Sequence, residues 1–88
     1  MIGKQQSGKA GTPQSGDVMV VIRRAPGLRI RIESPVLDFV KNSIEQIVAS
    51  ALQVAGISGA SVQVYDNAAA EWVLRARIET AIRRLQKV

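Results

Sequence analysis

The chain has 88 residues, 47% of them apolar, and a formal charge of +5 from 12 basic and 7 acidic side chains. That length allows one small domain with a modest core. It contains neither Cys nor His, which excludes zinc fingers, iron–sulfur clusters, disulfide frameworks, thiol nucleophiles and imidazole acid–base chemistry.

The basic start leads into no hydrophobic segment of signal-peptide type, and no apolar run approaches the roughly 18 residues that span a bilayer. A cytoplasmic protein without a membrane partner is expected. Residues 1–14 are polar and glycine-rich and read as a flexible tail, leaving residues 15–88 as a single domain. Asp17 to Arg23 is a β-branched run, a strand buried on much of both faces. Arg24 to Gly27 signals a turn, and Leu28 to Glu33 then alternates apolar and charged side chains. The two runs predict a β-hairpin. Ser34 and Pro35 suit a helix start. Leu37, Val40, Ile44, Ile47, Val48, Ala51 and Leu52 follow at helical spacing, and Gly56 is a natural stop.

Ala60 to Tyr65 alternates again, with Val62 and Val64 inward. Asp66 and Asn67 break the strand. A second helix is expected from about Ala68 to Gln86, buried through Leu74, Ile78, Ala81 and Leu85. Glu71–Arg75, Arg75–Glu79 and Glu79–Arg83 are spaced for pairing along its exposed side. The predicted fold is α+β: a two-layer sandwich in the order ββαβα, with a three-stranded sheet under two amphipathic helices.

No acidic pair stands out as a catalytic couple, and most carboxylates lie beside arginines on polar helix faces. The chain is therefore expected to supply no catalysis of its own and to hold no metal. Arg29, Arg31 and Arg23 could form a basic stripe on the sheet, which makes a small RNA-binding module an alternative. Such readers also need stacking aromatics, and the strands offer only Tyr65 outward. The spacing Gly56-Ile57-Ser58-Gly59 matches the GxxG of KH domains, but it lies between a helix and a strand rather than between two helices. Trp72 falls on nearly the opposite side of its helix from the apolar stripe, where a partner could contact it. Ser15-Gly16-Asp17 is, on residue types alone, an ordinary turn. Nothing nearby activates the serine as a nucleophile, but it needs only exposure to be modified by another enzyme.

Two stretches gain meaning together. Ser15-Gly16-Asp17, set within residues 11–20 (GTPQSGDVMV), and Leu74-Arg75-Ala76-Arg77-Ile78-Glu79, at this separation, resemble the citrate lyase acyl carrier proteins, the small gamma subunits of that lyase. The likeness extends from about Gly11 to Leu85. It implies that Ser15 carries 2'-(5''-phosphoribosyl)-3'-dephospho-CoA through a phosphodiester, which makes the chain a phosphoprotein, with Gly16 and Asp17 supporting the attachment loop. It also implies that the thiol of the group presents acetyl and citryl thioesters during citrate fermentation. The implied partners are the alpha subunit, which exchanges acetyl for citryl, the beta subunit, which cleaves citryl to oxaloacetate, and a prosthetic-group transferase; nucleic acid is not expected. Trp72, Arg75 and Arg77 are candidate partner contacts. The acyl carrier subunit of malonate decarboxylase uses the same kind of group and is the nearest alternative. The basic charge and mixed α/β pattern set the chain apart from the acidic four-helix acyl carriers.

Overall fold

The computed structural model describes residues 6–87. Its elements are β1 (Ser7–Gly11), β2 (Val18–Arg24), β3 (Leu28–Glu33), α1 (Leu37–Val54), β4 (Ala60–Asp66) and α2 (Glu71–Gln86). The fold is α+β, as the periodicities predict. It has four strands rather than three, in the order βββαβα, arranged β1-β2-β4-β3 across the sheet.

The added strand comes from the stretch expected to be tail. Ser7–Gly11 pairs antiparallel with β2, matching Gly8 to Ile22 and Ala10 to Val20. It lacks the β-branched and aromatic residues that usually announce a strand. Packing explains its composition. A Cβ on Gly8 would collide with the Ala81 carbonyl and the Leu85 backbone nitrogen, so glycine lets β1 lie against α2. Ala10 is buried beside it.

The predicted β2–β3 hairpin does not form. β4 inserts between the two strands, antiparallel to β2 and parallel to β3. Ala60 stands opposite both Arg24 and Leu28. The Ala25–Gly27 connection therefore crosses over the start of β4, and the Ala60 N–H donates to Gly27 O at 2.8 Å. A Cβ on Gly59 would strike the Ala25 carbonyl, so this glycine permits the crossing. β3, α1 and β4 form the helical crossover that parallel strands require.

α1 begins at Leu37 behind Val36, with no side-chain cap, so Ser34 is not the cap the sequence suggests. The Ser34 hydroxyl instead accepts from Val36 N–H at 3.1 Å and donates to Asp66 Oδ2 at 2.7 Å. The other end follows expectation. Gly56 takes a φ of +75°, its N–H bonds Gln53 O, and Ile57 N–H bonds Leu52 O, a Schellman ending. Gly56 and Gly59 thus both have backbone roles in this link.

α2 lies across β1 and β2, and α1 packs against β3 and α2. Val18, Val20, Ile22, Val62 and Val64 meet Ile44, Val48 and Leu52 of α1 and Leu74, Ile78, Ala81 and Leu85 of α2 in one aliphatic core. Met19 and Val21 lie half-buried on the other face of the sheet, so β2 is fully covered on one side only. Of the three spaced pairs on α2, Glu71–Arg75 forms at 3.1 Å. Arg75–Glu79 and Glu79–Arg83 do not form, and Arg83 donates to Thr80 Oγ1 at 3.4 Å. No helix among the described residues is long and apolar enough to cross a membrane.

Candidate functional site

Strand direction decides which loops meet. β1 ends at Gly11 opposite Met19, β2 starts at Val18 opposite Asp66, and β3 ends at Glu33 beside Tyr65. The β1–β2 loop (residues 12–17), the β3–α1 connection (34–36) and the β4–α2 connection (67–70) therefore gather at one end of the sheet. The β2–β3 and α1–β4 connections lie at the other end.

Ser15 stands at the outer corner of the first of these loops. Asp17 N–H donates to Gln14 O at 2.9 Å, closing a four-residue turn, and Gly16 has a φ of +79°. A positive φ at the third position defines a type II turn, and glycine meets it without strain. Ser15 is the second residue of that turn. It is exposed, and its hydroxyl makes no hydrogen bond among the described residues. A Cβ built on Gly16 would find no atom within 4 Å, so the space around the corner is open.

The loop behind this corner is braced. Arg77 of α2 reaches Asp17 with a two-pronged grip, Nε to Oδ1 and Nη2 to Oδ2, both 3.1 Å. Thr12 Oγ1 donates to Asp17 Oδ2 at 2.8 Å, and Val18 N–H donates to Oδ1 at 2.7 Å. Bidentate arginine–carboxylate pairing fixes direction as well as distance. The Arg77 guanidinium, then Thr12 and the Val18 amide, lower the Asp17 carboxyl from 3.8 to about 2. From the other side, Gly16 N–H donates to Asn67 O at 2.8 Å, Asn67 N–H to Asp17 O at 3.0 Å, and Asn67 Nδ2 to Pro13 O at 3.2 Å. Asp66 is buried and ties the neighbouring connections together. Its Oδ1 accepts from Ala69 N–H at 3.0 Å and its Oδ2 from the Ser34 hydroxyl.

The structure thus joins the two stretches singled out in the sequence through the Asp17–Arg77 pair. Arg77 is engaged inside the chain and Arg75 with Glu71, while Trp72 stands exposed. Thr12, Asp66 and Asn67 are the supporting residues that the sequence reading missed. Only Asp66 left a trace there: alternation from Val62 and Val64 points it inward, where a carboxylate requires partners.

The opposite face of the sheet is covered by neither helix. Arg23 and Arg29 flank Ser61 in one row, and Arg31 is beside Gln63 in the next. The expected basic stripe exists, and Lys9 extends it on β1. Tyr65 lies in a third row, nearest the Ser15 end, and its hydroxyl donates to Gln63 Oε1 at 2.7 Å. No group of three or more acidic, His or Cys side chains comes together among the described residues.

Comparison with known proteins bears on the same corner. Residues 5–85 match the acyl carrier family model described as malonate decarboxylase delta subunit (MdcD). The citrate lyase acyl carrier protein of Klebsiella pneumoniae is 44% identical over 77 residues, covering 85% of this chain and 79% of its own. The chain belongs to this acyl carrier family. The citrate lyase acyl carrier protein 2 of Salmonella typhimurium is 42% identical over the same shares. That of Streptococcus mutans is 29% identical over 86 residues, covering 96% of this chain and 84% of its own. A crystal structure from Thermus thermophilus aligns with 91% of this chain and 15% of its own, with a TM-score of 0.51 at 12% identity. That likeness concerns the fold alone. The carrier-family residues Ser15, Gly16 and Asp17 form one turn, with the serine outermost and the aspartate innermost.

Proposed function

We propose that this chain is the acyl carrier subunit of a citrate lyase, with Ser15 as the attachment point of 2'-(5''-phosphoribosyl)-3'-dephospho-CoA. The observation that carries the reading is the Ser15 hydroxyl, exposed and without a hydrogen bond, at the corner of a loop braced by Asp17, Arg77 and Asn67. The open space around the corner fits a bulky group leaving Oγ through a phosphodiester. Once attached, the group supplies a thiol, which this Cys-free chain lacks.

The residues of the chain then have simple tasks. Gly16 turns the backbone so that Ser15 projects. Asp17 and Arg77 keep that corner from folding back, and Asn67 holds it to the end of β4. A tether on a fixed corner raises the local concentration of the acyl unit at partner sites. Catalysis belongs to the alpha and beta subunits, and attachment to a transferase. The names of the curated relatives favour citrate over malonate. The family description keeps the carrier subunit of malonate decarboxylase as the second reading.

Intact mass of the protein from its native host tests the reading. The mass should exceed that of the sequence by the prosthetic group, and Ser15→Ala should abolish the increment while leaving the fold intact. A native, complex-bound protein without any adduct overturns it. Co-purification with citrate lyase rather than malonate decarboxylase subunits separates the two systems.

A further inference from the structure

We propose that the end of the molecule bearing Ser15 is a protein-docking face anchored by Phe39 and Trp72. Its occupant is the catalytic subunit that works on the Ser15-linked acyl group, which presents apolar pockets to the two rings. This rests on the carrier reading above.

Phe39 and Trp72 are the only Phe and Trp in the chain, and neither is in the core. Phe39 is 88% exposed and Trp72 74%. A small domain short of aromatics gains most by burying them, yet this one leaves both in water. Their positions are not scattered. Phe39 is the third residue of α1 and Trp72 the second of α2. Both helices start at the end where the Ser15 loop lies, and the connections before them are held together there by Asp66 through Ser34 and Ala69. Val36, next to α1, is also exposed there.

The loop is fastened to α2 by Arg77 and to β4 by Asn67, so Ser15 stays close to that end. A stable protein contact covers about 20 to 30 residues a side. A footprint of that size centred on Ser15 takes in the three connections and the first turns of both helices. Large aromatic side chains at the centre of such a contact supply most of its affinity. Val54 provides an internal comparison: it is 90% exposed but lies at the far end of α1.

The test uses the full chain labelled with 5-fluorotryptophan, giving one ¹⁹F resonance, titrated with the purified alpha and beta subunits of the lyase from the same host. The resonance should shift or broaden on binding. Calorimetry should show Phe39→Ala and Trp72→Ala each weakening binding at least tenfold, with Val54→Ser unchanged. Circular dichroism checks that each variant folds. If the complex forms while the Trp72 signal stays put and both aromatic variants bind normally, the proposal is wrong and the carrier reading survives. If the signal moves with carrier concentration alone, the occupant is a second copy and the proposal also fails. If the subunits do not bind and the native protein carries no adduct, the carrier reading itself falls, and the proposal with it.

Discussion

Asp17 and Arg77 stand 60 positions apart in the chain and meet through two hydrogen bonds of 3.1 Å. That pair fastens the turn carrying Ser15 to the helix that covers the sheet. It makes one unit of two stretches that look independent in the sequence.

The pair sets a pH dependence. The Asp17 carboxyl lies at about 2 in the folded chain against 3.8 unperturbed. The folded state therefore binds this proton less readily than the unfolded one, and ionised Asp17 stabilises the fold. That contribution is complete above pH 3.8 and is lost as the pH falls toward 2. In thermal melts the gap in Tm between the wild type and Asp17→Asn should be constant near neutrality and close between about pH 4 and 2. A gap that does not narrow in that window contradicts the assignment.

Gly16→Ala isolates backbone strain. No atom obstructs the new methyl, but the φ of +79° is one that L side chains avoid. A loss of about 1 kcal/mol in urea unfolding is expected, less for Gly16→Asn, which tolerates this region better. Loading of Ser15 by the transferase should slow in the alanine variant, because the corner relaxes away from its outward direction.

Gly8→Ala should act through packing instead. The added methyl collides with the α2 backbone at Ala81 and Leu85, and overpacking of this kind costs about 1–3 kcal/mol. Hydrogen exchange should show Ser7–Gly11 losing protection first, with β4 unaffected. Uniform loss across the sheet would mean that β1 is not a separable edge.

Asp66→Ala removes the acceptor of both the Ser34 hydroxyl and the Ala69 amide. Leaving those donors without a protein partner costs about 1–3 kcal/mol. Ser34→Ala should cost less, since the Ala69 bond remains. Equal losses from the two variants would show that the Ala69 bond contributes nothing.

The parts legible in the sequence follow local rules. The stripe Leu74, Ile78, Ala81 and Leu85 is buried as its spacing predicts, and Gly56 ends α1 as expected. β1 was illegible because its residues answer to α2 rather than to strand propensity. Gly8 is there to admit a backbone, and Ala10 to fit a narrow gap. The hairpin expectation failed for a related reason. Alternation in Leu28–Glu33 marks a strand but says nothing of its neighbour, and β4 takes the place between β2 and β3.

Ser15 was visible by its motif, and the chemistry the chain lacks followed from its composition alone. The helices and three of the strands were likewise set by periodicity, because a repeat of apolar positions is a local property of the chain. Tertiary structure alone decided the strand order, the Asp17–Arg77 brace, and the convergence of Ser15, Phe39 and Trp72 at one end. Those depend on which segments cross which, and no local spacing encodes a contact between residues 60 positions apart.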